Sequence, residues 1–415
     1  MERVFTRVAG LDVHKDVVVA CVRTPLPDGR QGVQTASFGA TTEDLLGLRD
    51  WLVGERVEVV GMESTGVYWK PVYYLLEDEV ECWLLNARHL RNVPGRKTDV
   101  ADAMWIAELV EHGLVRPSFV PPKPIRELRN LTRYRRAQVQ DGTRETQRLD
   151  KILQDAGIKL SSVASDILGM SGRAMLAALI DGRSDPAAMA DLAKGRMRTK
   201  LPALTKALRG RFTAHHALLV GEIMAKLEFL DEAIGRLSAE IDRVMLPYAR
   251  QRDLLDTIPG VNKRSAEELI AEIGEGMTRF GSAARLASWA GVCPGHHESA
   301  GKSTSGKTRK GSKWLHSTLT EAAKAVSRSK GTYLSAQYTR LRGRRGHAKA
   351  TVAVAVAHSI LVSAFHILDR GVPYDDLGAD WFQRRHSPEH QARKLVHQLR
   401  NLGYDLQLPE RSEAA

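Results

Sequence analysis

Val4-Phe5-Thr6-Arg7-Val8-Ala9-Gly10-Leu11-Asp12-Val13-His14-Lys15-Asp16-Val17-Val18-Val19-Ala20-Cys21-Val22 is the stretch on which the fold turns. Val4 to Leu11 and Val17 to Val22 are dense in β-branched residues and separated by a short polar segment. They predict two strands, with Asp12 just past the end of the first. Val33 to Phe38 predicts a third, reached through the turn-rich segment Pro25 to Gly32. Thr41 to Leu52 then has helical spacing with Thr42 as a candidate cap, and Val57 to Met62 and Val80 to Leu85 are further short β-branched runs. Helices are predicted near Val67 to Leu76 and from about Val100 to Glu111. The order β-β-β-α-β-α-β-α indicates an α/β domain with a mixed sheet, and Pro117, Pro121, Pro122 and Pro124 mark its end.

From Ile125 to Leu246 nearly every pattern is helical. Val220, Ile223, Leu227, Leu230, Ile234, Leu237, Ile241 and Val244 recur at alternating spacings of 3 and 4, a heptad seam. It predicts a coiled coil, used either for self-assembly or for a long antiparallel hairpin with the Arg-rich helix around Leu128 to Leu153. Leu254 to Gly274 opens a third unit and Ala348 to Leu368 is its predicted final core helix. The layout is thus 1–125, an α/β domain; 126–247, a helical coiled-coil region; 248–371, a helical domain; and 372–415, a polar tail with a helix from Pro388. Ala350 to Leu368 has no Asp, Glu, Lys or Arg and approaches the length of a membrane span. It is Ala-rich and interrupted by Thr351, His358, Ser359, Ser363 and His366, so a buried helix is predicted and no membrane partner.

Of the 415 residues, 43% are hydrophobic and 27% charged, which excludes a disordered chain. Cys21, Cys82 and Cys293 are far apart, which excludes a disulfide scaffold and a cysteine zinc site and suits a reducing cytoplasm. The N-terminus carries charges and no apolar stretch of signal-peptide type. The net charge of +12 is unevenly spread: residues 1–125 carry a balance of −4 and the remainder +16. The densest part, His296 to Lys349, sets 13 Lys and Arg against Glu298 and Glu321. Gly, Ser and Thr interleave with Lys302, Lys307, Arg309, Lys310 and Lys313, so that the backbone can approach phosphates. The segment predicts a nucleic-acid contact.

Four carboxylates carry the candidate chemistry. Asp12 follows the first strand and Glu63 the fourth, and carboxylates at the ends of neighbouring strands can converge. Asp99 and Asp102 lie at i and i+3 on one helix face. Oxygen ligands of this kind select Mg²⁺ or Mn²⁺, which orients a phosphodiester and stabilises the charge built up in its displacement. Asp16 and Glu108 are alternatives that spacing alone does not exclude. Further on, Leu255 to Ala266 joins two helical segments through Pro259-Gly260. This looks like a helix-hairpin-helix, in which turn amides meet a phosphate and Lys263 and Arg264 add charge. The basic loop opens with Ala290-Gly291-Val292-Cys293-Pro294-Gly295-His296-His297-Glu298-Ser299. A serine beside phosphates is a hydrogen-bond donor or a nucleophile, and the residues alone do not choose among Ser299, Ser303, Ser305 and Ser312.

These motifs, in this order, resemble the insertion-sequence transposases that join an N-terminal RuvC-like (RNase H-type) DEDD domain to a C-terminal serine-containing domain, the bridge-RNA-guided recombinases. The resemblance spans about residues 4–375. Gly-Leu-Asp12-Val-His-Lys looks like the first acidic motif, Glu63-Ser-Thr-Gly-Val-Tyr the second, and Lys-Thr-Asp99-Val-Ala-Asp102-Ala the last pair. Ile-Pro-Gly260-Val opens the second domain, and the segment Ala290 to Ser299 matches the one ending in the nucleophilic serine. The chain departs from the family in placing Ala300 between Ser299 and Gly301 and in its long helical middle. The resemblance implies a site-specific DNA recombinase in which Asp12, Glu63, Asp99 and Asp102 hold Mg²⁺ and Ser299 attacks the phosphodiester. It also implies double-stranded DNA and an element-encoded noncoding guide RNA as partners, dimers or tetramers with composite sites, and a cytoplasmic, nucleoid-associated location. The alternatives are a metal-dependent RuvC-like nuclease that uses water, and a non-enzymatic architectural DNA-binding protein, which leaves the four carboxylates without a role.

Overall fold

The structure, a computed structural model, describes residues 3–64, 66–87, 90, 99–295, 298–299, 302–303, 308–344, 349–384 and 388–404. The chain divides into two compact units, Met1–Pro121 and Pro122–Ala415. The first contains β1 (Val8–Val13), β2 (Val17–Pro25), β3 (Gln31–Gly39), α1 (Thr42–Gly54), β4 (Val59–Glu63), α2 (Trp69–Leu76), β5 (Glu81–Leu85) and α3 (Asp99–Glu111), the order that the sequence predicts. The sheet runs β3-β2-β1-β4-β5. The first three strands are antiparallel neighbours, whereas β4 and β5 run parallel to β1, as intervening helices require. Several boundaries differ from expectation. β1 begins at Val8 rather than Val4, because the Val4 and Phe5 amides donate to the Glu111 carbonyl at 2.9 and 3.2 Å. It also runs on to Val13, so Asp12 lies within the strand. Thr41, not Thr42, caps α1, its hydroxyl accepting from the Asp44 amide.

Strand alternation sorts the sheet into two faces. Ala9, Leu11, Val13, Val60 and Met62 pack with Leu45, Leu48 and Leu52 of α1 and with Val72 and Leu76 of α2. Val8 and Val59 pack on the other face, under Ala103, Ile106, Ala107 and Val110 of α3. There the register partners Gly10 and Gly61 let the helix come close. A Cβ at Gly10 would lie 2.1 Å from the Ala103 carbonyl oxygen, and one at Gly61 would lie 2.7 Å from Val110 Cγ2. Since the C-terminal end of α3 meets residues 4 and 5 ahead of β1, the helix runs antiparallel to β1. Its N-terminus therefore stands at the end of the sheet where β1 and β4 finish.

The second unit opens with α4 (Lys123–Asp155), which carries Pro124 in its first turn, where a missing amide costs nothing. Short helices α5 (Leu160–Val163), α6 (Met170–Ile180), α7 (Pro186–Ala190) and α8 (Leu201–Ala207) lead to α9 (Ala214–Val244). α9 runs back along α4: His216 meets Asp155 at 3.2 Å, Lys226 pairs with Glu145, and Ile241 shares a core with Ile125 and Leu128. This antiparallel pair is one of the two arrangements that the heptad seam allows. Val220, Leu227, Leu230 and Ile241 of the seam are buried, and Ile223, Ile234, Leu237 and Val244 partly so.

Beyond it lie α10 (Ala249–Asp256), α11 (Lys263–Ile273), α12 (Ala283–Trp289), α13 (Lys313–Val326), α14 (Tyr333–Arg344), α15 (Lys349–Arg370), α16 (Trp381–Arg384) and α17 (Pro388–Asn401). α15 is long and apolar enough to cross a membrane, with a mean hydropathy of 1.9. Its Val352, Ala353, Val356, Ala357, Ile360, Leu361, Ala364, Phe365 and Ile367 nevertheless belong to the core of the unit. Burial also pushes His358 below its ordinary range.

From Ala266 to Ile273 α11 is buried on every side although it carries three glutamates. α4 explains this with a matching row of arginines. Arg135 meets Glu267 at 2.7 Å, Arg136 meets Glu268 and Thr318, and Arg133 grips Glu272 through two bonds of 2.7 and 2.9 Å. Arg129 caps the end of the helix by donating to the carbonyls of Ala271 and Glu272. Both members of the Arg135–Glu267 pair are at most 3% exposed. Glu267→Ala leaves a buried guanidinium uncompensated and is expected to cost about 3–5 kcal/mol. Urea unfolding of the two proteins checks this, and a loss below about 1 kcal/mol, the value of an exposed pair, contradicts it.

Candidate active site

Asp12 and Glu63 stand one residue beyond the last register pair of β1 and β4, Leu11 opposite Met62. Alternation puts both on the face that α3 covers, in line with Gly10 and Gly61. The antiparallel course of α3 brings its first turn, with Asp99 and Asp102, to the same end of the sheet. Glu108 lies six residues further along, about 9 Å toward the opposite end, and Asp16 is exposed in the β1–β2 turn. Asp12 is 14% exposed, and its Oδ2 lies 3.0 Å from Nε2 of half-exposed His14. The donors at this end are carboxylate oxygens, the chemistry that suits Mg²⁺ or Mn²⁺. Among the described residues no three His, Cys, Asp or Glu side chains gather closely enough to hold a metal ion, and the Asp99 side chain lies outside those described.

The serine loop is set by glycine contacts. It leaves α12 at Gly291 (φ +72°) and returns at Gly311, and these two residues touch: a Cβ on Gly291 would lie 2.7 Å from the Gly311 amide nitrogen. Between them Pro294 bridges Thr308, and β6 (Glu298–Ser299) pairs antiparallel with β7 (Lys302–Ser303), Ser299 opposite Lys302. The basic loop is thus partly a hairpin ribbon with Ser299 near its tip. Ser312 is committed elsewhere: its hydroxyl caps α13 by accepting from the Leu315 amide and donates to Glu272 at 3.0 Å. Ser305 and Lys307 lie outside the described residues, as do the side chains of Ser299, Lys302 and Ser303.

Arg309 and Lys310 are exposed on the returning arm, and Lys313, also exposed, lies over the Trp314 ring at 5.4 Å. In the α10–α11 turn Gly260 adopts φ +87° and rests on α13, where a Cβ would lie 2.5 Å from the Ala322 carbonyl oxygen. Asn262 caps α11 by accepting from the Ser265 amide at 2.9 Å. Arg264 is exposed, whereas Lys263 is paired with Asp242 of α9 at 2.6 Å. The sequence reading missed the arginine clamp on α11 and the capping role of Ser312. Arginines at 129, 133, 135 and 136 and glutamates at 267, 268 and 272 are visible signals, but nothing in the sequence pairs two segments so far apart.

Two family models match the chain. One, described as a transposase of DEDD type, covers residues 9–158, and the other, described as "Transposase IS116/IS110/IS902 family", covers residues 252–339. They fall in the expected order and together take in more than half of the chain. The chain belongs to this transposase family. The first model holds all four carboxylates and the second holds the α10–α11 turn and the serine ribbon. Among curated proteins it is similar to the pilin gene-inverting proteins of Moraxella bovis and Moraxella lacunata. Each is 33% identical over 127 residues, which is 29% of this chain and 38% of the relative. The match thus spans less than two fifths of the length of those relatives.

Proposed function

We propose that this chain is a DNA transposase that excises and inserts a mobile element by breaking and rejoining phosphodiesters. The observation that supports the reading is the match of a DEDD-type transposase model to residues 9–158, within which Asp12 and Glu63 directly follow the last register pair of β1 and β4. Asp12, Glu63, Asp99 and Asp102 hold magnesium, with manganese as a substitute. The bound ion supplies charge neutralisation at the phosphate. Asp12 and Glu63 project from rigid parallel strands, so their oxygens are positioned at little entropic cost. His14 orients Asp12 through the 3.0 Å contact.

Ser299 is the nucleophile. Its Oγ bonds to phosphorus as a bridging P–O bond breaks; the serine proton goes to solvent, and the departing oxygen takes one proton from solvent and leaves as an alcohol. Attack by a strand hydroxyl then reverses the step and frees the serine, so no phosphodiester is lost to water. The α10–α11 turn acts as a helix-hairpin-helix, in which Gly260, Lys263 and Arg264 meet duplex DNA, and Lys302, Lys307, Arg309, Lys310 and Lys313 line the strand near the serine. A noncoding guide RNA, assembly into dimers or tetramers, and a place on the nucleoid complete the proposal. Excision of a marked element by the purified chain with its guide RNA tests the whole reading. Excision in Mg²⁺ that stops on adding EDTA is the expected result, and undiminished excision in EDTA contradicts the metal site.

A further inference from the structure

A surface cleft of about 660 Å³ opens where the end of α13 passes into α14, with α16 as its far wall. None of its lining residues comes from the serine ribbon or the α10–α11 turn, and no role assigned above uses it. Its lining includes Ser329, Lys330, Thr332, Thr339, Arg340 and Phe382, and none of its lining residues is acidic. Arg340 and Lys330 are exposed, and neither has an ion-pair partner among the described residues.

Arg340 is not free to wander. Its guanidinium carbon sits 4.1 Å from the centroid of Phe382, whose ring stacks at 5.0 Å and 18° on Tyr333. The Tyr333 amide in turn donates to Asp376 at 2.9 Å, and Trp381 packs edge-on against the Tyr333 ring. A guanidinium lying on an aromatic face keeps its N–H edge open, and that edge matches two oxygens of a phosphate. The loop that supplies Lys330 and the hydroxyls of Ser329 and Thr332 faces the same space.

We infer that this cleft is a phosphate-binding subsite for a nucleic-acid strand, with Arg340 as the preorganised fork and Lys330 as the second cation. A polynucleotide suits it better than a small phosphate metabolite: the cleft is open to the surface, and its two cations fall within the densest basic stretch of the chain. The inference rests on the reading of the chain as a nucleic-acid enzyme and not on the metal ion or the serine. DNA and RNA share the phosphodiester, so both are probes.

The test is equilibrium binding of the full chain to a short duplex DNA and to a short single-stranded RNA over a range of salt concentrations. Arg340→Gln and Lys330→Ala should each weaken one probe about tenfold, because each removes a charge-assisted contact. The double variant should lower the slope of log affinity against log salt by about 2. Arg340→Lys should recover only part of the affinity, since it keeps the charge and loses the fork. The probe that responds identifies the strand. Lys206→Ala on α8, an exposed lysine outside the cleft, should leave binding within about twofold. Unchanged binding of both probes by folded variants overturns the subsite while leaving the enzyme reading intact, as does an equal loss with Lys206→Ala. Failure of the unmodified chain to bind either probe overturns both.

Discussion

Asp12→Asn is expected to abolish strand cleavage and to leave affinity for DNA within a few fold. The substitution keeps the shape of the side chain and an acceptor oxygen for His14, whose Nε2 lies 3.0 Å from Asp12 Oδ2, so β1 and its turn are undisturbed. What it removes is a negative charge at the end of the sheet that Glu63, Asp99 and Asp102 share. A cation held there by these carboxylates would lose one ligand, and with it part of the charge stabilisation it would supply to the phosphate. The loss is expected to be at least about 10²–10³-fold, the effect of deleting a single preorganised electrostatic contact. Binding survives because a carboxylate does not attract phosphates. Cleavage of end-labelled element DNA in Mg²⁺ provides the measurement, and activity above a tenth of the unmodified level contradicts the assignment. Ca²⁺ in place of Mg²⁺ should permit binding and stall the chemistry, since its coordination is looser.

Much of this arrangement was legible because it is local. The β-branched runs around Asp12 and Glu63, the crossovers between them and the helical spacing after Val100 give the order of the first unit correctly. Strand ends were less legible: Val4 and Phe5 have strand-like side chains, yet their amides turn aside to the Glu111 carbonyl, a contact that depends on residues a hundred positions away. The same limit applies to the second unit. A heptad seam shows that α9 needs a partner stripe, but whether that partner is α4 or another chain is a question of tertiary geometry. Nothing in the sequence pairs the glutamates of α11 with the arginines of α4 that meet them. For the serines, Ser312 resembles its neighbours in sequence, and only its bonds to Leu315 and Glu272 set it apart.

Ser299→Ala is expected to eliminate recombination while keeping affinity for DNA and RNA within a few fold. One neutral hydroxyl contributes about 0.5–1.5 kcal/mol to binding, which is small beside the many phosphate contacts of the basic surface. The nucleophilic role proposed for it would have no substitute: without the Oγ no covalent link to DNA would form, and an enzyme that conserves the phosphodiester in such a link would have no second route to rejoining. The size of the effect separates the two roles that a serine beside phosphate can have. A hydrogen-bond donor gives a partial loss on substitution, and a nucleophile gives a complete one.

Denaturing gels of labelled DNA after reaction with the unmodified chain, Ser299→Ala and Ser303→Ala test the central claim most directly. A protein–DNA adduct that survives denaturation, forms with the unmodified chain and Ser303→Ala, and is absent with Ser299→Ala is the predicted result. Cleavage by the unmodified chain with no adduct contradicts it and identifies a nuclease that uses water, while an adduct lost only with Ser303→Ala moves the nucleophile to the facing strand of the ribbon.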